Sequence, residues 1–178
     1  MLKTRQNIPG KQTSADRPHI RPEKEPFDLI IEIVSLIGVI VLVVLSVISY
    51  PRLPASIPTH FDAAGNANDY SSKSMIFLLP GIALVLYAGL SILNRFPYIF
   101  NYPVNITREN AFRMYRHATR MIRILNFLIV IMFLYLNWQT IAVAKGSSSG
   151  LGAWFLPLNI GTVLGVSIYM VIRMYKLK

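Results

Sequence analysis

Four uninterrupted apolar runs constrain this chain more than anything else in it. They occupy residues 29–49, 75–93, 124–144 and 151–172, and Glu32, near the start of the first, is their sole charge. A helix rises about 1.5 Å per residue and a bilayer's hydrocarbon core is about 30 Å thick, so about 20 apolar residues cross it. Each run has that length, and a soluble domain of 178 residues has no use for four. Hydrophobic residues make up 53% of the chain, charged residues 15%, and mean hydropathy is +0.47. The expected fold is an all-α membrane protein: a four-transmembrane-helix bundle over 28–178, preceded by a tail, 1–27. The first run is not read as a cleaved signal peptide, because a 27-residue polar tail precedes it and Ser49-Tyr50-Pro51-Arg52 is a poor cleavage site.

The net charge of +10 has two readings. Clustered Lys and Arg can bind a polyanion, or they can set orientation in a membrane. Their distribution favours the second. Segments 1–28 and 94–123 carry six each and the C-terminal end three, whereas loops 50–74 and 145–150 hold Arg52, Lys73 and Lys145 between them. The positive-inside rule then puts both termini in the cytoplasm and both loops outside, with no role for nucleic acid. The tail, with Pro9, Pro18, Pro22 and Pro26, is expected to be disordered.

Residues 107–123 read as a basic amphipathic cytoplasmic helix running into the third span. Thr107 is a candidate N-cap and Glu109 suits the first turn. At 100° per residue, Arg113, Arg116, Arg120 and Arg123 fall within an arc of about 80°, opposite Met114, Tyr115, Ala118 and Met121. These arginines are expected to meet anionic head groups, or else an acidic partner.

The first outside loop, 50–74, has the composition of an ordered element. Pro51, Pro54 and Pro58 keep its start extended, Thr59-His60-Phe61 is strand-like, and Asp62 to Asp69 is rich in turn formers around Gly65. Ser72 or Ser74 can cap the second span. Pro58, His60, Phe61, Asp62, Gly65 and Asp69 are therefore candidate ligand- or partner-binding residues. His60, Asp62 and Asp69 match no metal motif, so no metal and no cofactor is expected, and Asp and Asn here are read first as turn-stabilising groups. Nothing resembles a nucleophile elbow, Cys is absent, and an enzyme is not expected.

The pattern Leu53-Pro54-x-x-Ile57-Pro58-x-His60-Phe61-x-x-x-Gly65, followed by Ser72-Lys73-Ser74 and an apolar helix, resembles an uncharacterised bacterial membrane domain. That domain also stands at the N-terminal end of Sdp-type immunity and signalling proteins. The resemblance covers roughly residues 40–93. It implies an ordered loop between two spans and, in the larger relatives, resistance to a secreted killing peptide with relay to a cytoplasmic repressor.

Polar groups inside the spans form a second constellation. Spans three and four, joined by Lys145 to Gly150, must be antiparallel neighbours. Asn137 and Asn159 then lie about 10–12 Å deep and are expected to hydrogen-bond to each other, as a packing clamp or the wall of a ligand site. Pro80 and Pro157, at similar depth, can kink their helices, so that the outer halves of the spans splay into a shallow cleft roofed by the His60 loop. Gly161 and Gly165 form a GxxxG motif, expected to serve packing within the chain before packing across a dimer; the oligomeric state is not legible. No acid or base lies at mid-membrane, which argues against a proton-coupled transporter or an ion pore. The sequence thus predicts an envelope binding, sensing or immunity-like protein of the bacterial cytoplasmic membrane, whose partners are the bilayer and an extracytoplasmic peptide or membrane protein. The alternative is an accessory subunit of a transporter or other membrane complex.

Overall fold

A computed structural model describes residues 12–177; residues 1–11 of the expected disordered tail lie outside them. Among the described residues four helices are long and apolar enough to cross a membrane, the pattern of a multi-pass membrane protein by length and composition. Helix α1 spans Pro26–Ser49. Its start is a capping box: Pro26 sits where no N–H is needed, and the Glu25 N–H donates to the Asp28 carboxylate at 3.0 Å.

A 3-10 turn at Tyr50–Arg52 ends α1, and an antiparallel hairpin follows, β1 (Ser56–Phe61) and β2 (Ala67–Ser72). The all-α expectation thus omits a small sheet. The hairpin turn is built as its composition suggests. Gly65 has φ 85°, and the Asp62 carboxylate accepts from the Asn66 N–H at 2.8 Å. Ser72 caps a 3-10 turn, Lys73–Phe77, that leads into α2, Leu78–Leu93.

Helix α3, Ala111–Ala144, is one continuous helix of 34 residues that absorbs both the basic segment and the third span. It starts one turn later than Thr107. The Thr107 N–H donates to the Asn110 carboxamide and the Asn110 N–H to the Thr107 hydroxyl, so this pair closes the turn before the helix. Helix α4, Phe155–Lys176, begins four residues after the expected start of span four, because Gly150 and Gly152 hold positive φ in the link. Pro80 and Pro157 both fall in the first turns of their helices, where a missing N–H breaks no helical bond, so neither is needed as a kink.

Helix α3 is the hub, packed on α1, α2 and α4. At one end of the bundle Tyr102, Ile106, Met114, Tyr115, Ala118 and Met174 form a buried cluster, so the face opposite the arginines is buried as its pattern predicts. Residues 12–25, read from composition as part of a disordered tail, lie against this end. The Gln12 carboxamide exchanges two hydrogen bonds with the Ile106 backbone, and Arg17 donates to the carbonyls of Tyr98 and Phe100. Backbone acceptors of this kind leave no trace in composition. At the other end Leu53, Ile57, Ile76 and Ile141 join the hairpin to the bundle.

Candidate functional site

The hairpin lies over a cavity of ≈450 Å³, within the range of small-molecule sites. Its roof is β1 from Ile57 to Phe61 with Asp62 and Gly65. Met75, Ile76, Leu78 and Leu79 form one wall, Phe155 and Leu156 the opposite wall, and Leu136, Asn137 and Thr140 of α3 the floor. The lining is mostly apolar, as the expected cleft beneath the His60 loop requires.

The roof is fastened by close backbone contact. Asn66 bridges Gly150, and the Leu151 N–H donates to the Gly65 carbonyl at 2.7 Å. A Cβ on Gly65 would stand 2.7 Å from the backbone of Gly152, inside any real contact distance. Glycine is therefore required at 65 twice over, for its φ and for this approach. The α3–α4 link completes the candidate site through Gly150 and Gly152, which composition alone does not single out; two glycines three and five residues before the start of α4 are the available signal.

The candidate residues separate into those that share the cavity and those that do not. Pro58, His60, Phe61, Asp62, Gly65 and Asn137 line it; Asp69 and Asn159 do not. His60 and Asn68 pair across the hairpin, ring Nδ1 to carboxamide oxygen at 2.6 Å. Asp62 serves the turn, and the Asn66 N–H holds its carboxyl below the usual carboxylate range. Asp69 accepts from the Tyr70 N–H. The three therefore work separately within the hairpin, and among the described residues no group of three His, Cys, Asp or Glu is arranged to hold a metal.

The expected bond between Asn137 and Asn159 is not made. Asn137, fully buried, donates instead to the Ser46 hydroxyl of α1 at 3.0 Å, and Asn159 donates to the Phe155 carbonyl one turn back in its own helix at 2.8 Å. Asn137 lies on the side of α3 that meets α1, so equal depth does not bring it to α4. Ser46, one serine in a run of valine and leucine, gave no sequence signal of this role.

A second constellation sits at the opposite end. Arg120 donates to Asp28 at 2.9 and 3.0 Å and to Glu25 at 2.6 Å; Arg116 donates to Glu25 and Arg123 to Glu32, each at 2.7 Å. Arg116, Arg120 and Arg123 thus face the acids of α1 rather than head groups. Arg113 alone of the four turns away, exposed beside Tyr102, Glu109 and Tyr175. The Arg120 guanidinium holds the Glu25 carboxyl below the usual carboxylate range. The signal for this ladder was present: acids at 25, 28 and 32 repeat the helical spacing of arginines at 116, 120 and 123, one stripe for each of two helices. With Glu25 beside Arg116 at one level and Ser46 beside Asn137 at another, α1 and α3 run parallel.

Residues 37–84 match the family described as Domain of unknown function (DUF1648). The match takes in the second half of α1, the whole hairpin and the start of α2, so it covers the cavity's roof and one wall. Over 77 residues the chain is 27% identical to a protein of Archaeoglobus fulgidus named "Uncharacterized protein", covering 39% of this chain and 42% of that one. The chain thus spans less than half the length of this relative. No solved structure matches it.

Proposed function

We propose that this DUF1648-containing chain is a non-enzymatic binding or sensing protein of the bacterial cytoplasmic membrane, and that its ligand enters the cavity beneath the hairpin. The single observation that carries this reading is the roofed, apolar cavity itself. A hairpin whose only task was to join two spans would need neither the backbone stitch to the α3–α4 link nor a space beneath it. The fifteen Lys and Arg flanking the other ends support an orientation with both termini in the cytoplasm and the hairpin outside. Resemblance to the membrane domain of Sdp-type proteins supports an immunity-like role, in which a secreted peptide is bound or excluded at the hairpin. Two measurements test this. In this Cys-free chain, a membrane-impermeant thiol reagent added to intact cells should label Asn66→Cys and not Arg108→Cys; the reverse pattern overturns the orientation. Photo-crosslinking from position 61 in the native envelope should capture a small ligand, peptide or lipid, above the yield from position 108. Equal yields overturn the site.

The alternative, an accessory subunit of a membrane complex, has one observation of its own. Among the described residues nothing packs on the two glycines of the GxxxG motif: a Cβ on Gly161 or Gly165 would meet nothing within 4 Å. The expected internal packing is absent there, which leaves that face of α4 open to another helix. Capture of an integral membrane protein alone from position 61 would favour this reading.

A further inference from the structure

We infer that the hairpin cavity takes a membrane lipid, with the polar linkage of the lipid under the hairpin and one acyl chain running down the outer face of α2. This rests on reading the cavity as a ligand site, and it names the class of ligand. Three observations carry it.

The first is access. Helix α2 packs on α1 and α3, helix α4 packs on α3, and no comparable packing joins α2 to α4. The cavity lies between these two helices, so its side door faces hydrocarbon. The second is shape. Leu78 lines both the cavity and a separate apolar groove of ≈350 Å³, formed with Phe77, Gly81, Ile82, Val85 and Leu86. These residues recur every three or four positions, so the groove descends α2 from the hairpin toward mid-membrane. A Cβ on Gly81 would meet nothing within 4 Å; its missing side chain helps keep the groove open. A cavity prolonged by an open apolar track along a single helix suits an unbranched chain lying against α2 better than a helical peptide, which is about 10 Å across.

The third is the placement of polar groups. The buried floor carries Asn137 and Thr140, and the roof His60 and Asp62. The Ser46 hydroxyl has one proton and three acceptors in reach, the Leu42 carbonyl at 3.0 Å, Asn137 Oδ1 at 3.3 Å and the Ile76 carbonyl at 3.4 Å. The nearest of these, one turn back in α1, takes it. Asn137 is closed off by its contact with α1 and is 0% exposed, so the polar end of a lipid would meet Thr140, His60 and Asp62 instead.

The full chain, reconstituted in vesicles containing a phosphatidylglycerol with a diazirine in one acyl chain, tests this by irradiation and mapping of the adducts. Adducts should concentrate on Leu78, Ile82 and Val85 relative to the lipid-facing Ile33, Ile37 and Ile40 of α1. Gly81→Leu fills the groove without a clash and is favourable to the helix. By excluding the chain sterically from the face of α2 it should reduce these adducts severalfold, with no hydrophobic term involved because the chain's alternative is bilayer hydrocarbon. Gly89→Leu, equally open on the same helix and outside the groove, should leave them unchanged. Uniform labelling of all lipid-facing positions, insensitive to Gly81→Leu, means annular lipid only and overturns the inference. If position 61 then still captures a peptide, the lipid assignment fails alone; if it captures nothing, the ligand site fails with it.

Discussion

The two ends of this bundle solve the problem of polar groups in a membrane protein in opposite ways. At the termini end α1 and α3 are joined by charge. Glu25, Asp28 and Glu32 interlock with Arg116, Arg120 and Arg123, and the space beside the ladder shrinks to ≈10 Å³. At the hairpin end the same two helices are joined by one neutral contact, Ser46 with Asn137, and a cavity of ≈450 Å³ stands over it. The long side chains of the ladder reach across and close their end. At the other end a gap remains among α2, α3 and α4, which the hairpin covers but does not fill. Charge thus closes the α1–α3 seam at one end, while the apolar cavity under the hairpin lies at the other; the hollows at the termini end, beside Arg113 and beside Phe100, lie away from the ladder.

The largest blow to this contrast should come from Arg120→Ala. Asp28, with a side chain only 1% exposed, would lose both of its bonds to Arg120. Asp28 would keep only the Arg123 guanidinium at 3.8 Å and the Glu25 N–H at 3.0 Å; breaking a buried pair costs up to about 3–5 kcal/mol, read as a lower midpoint in thermal unfolding in detergent. A loss below about 1 kcal/mol would place the ladder among ordinary exposed pairs and erase the difference between the ends. Gly65→Ala should cost less, roughly 1–3 kcal/mol, because it strains the backbone and pushes on Gly152. Its effect should stay local, seen as faster tryptic cleavage at Arg52 and Lys73 with the unfolding midpoint little changed; a large fall in the midpoint would mean the hairpin holds the bundle together.

Smaller again is Ser46→Ala, which removes the partner of Asn137. Polar pairs between membrane helices average about 0.6 kcal/mol, with a maximum near 1.7 kcal/mol. Unfolding of the Ser46→Ala and Asn137→Leu variants, alone and together, checks whether that coupling is present. The smallest effect is that of pH on Glu25. Its carboxyl titrates below its ordinary value near 4.5 when folded, so its contribution is complete above that value and is lost as pH falls through the folded one. The unfolding midpoint should therefore decline in acid below about pH 4.5, and the decline should be shallower in Arg120→Ala, whose Glu25 no longer has its main partner. Equal declines would remove Glu25 from the ladder's working parts.

Much of this architecture was legible because hydrophobic length is a one-dimensional property. The four spans, the ordered 50–74 loop and the turn at Gly65 each follow from a run or a short pattern. Pairings were harder. Arginine spacing announced a stripe on α3, but whether it met lipid or protein depended on α1 lying beside α3, which no local pattern states. The same gap accounts for Asn137, which faces Ser46 of α1 rather than Asn159 of α4. For Pro80 and Pro157 a shift of a few residues in the helix starts turns expected kinks into ordinary first-turn prolines. The cavity was anticipated as a cleft below His60, whereas its fastening through Gly150 and Gly152 involves backbone atoms that every residue has.

The ladder also bears on how the protein is made. Asp28 leaves the ribosome 92 residues ahead of Arg120. At 5–20 residues per second that is roughly 5–20 s in which α1 exists without its main counter-charges. During that interval Lys24 can serve Glu32, but Asp28 has no arginine to meet. Helix α1 therefore waits for α3 before its buried acid meets Arg120.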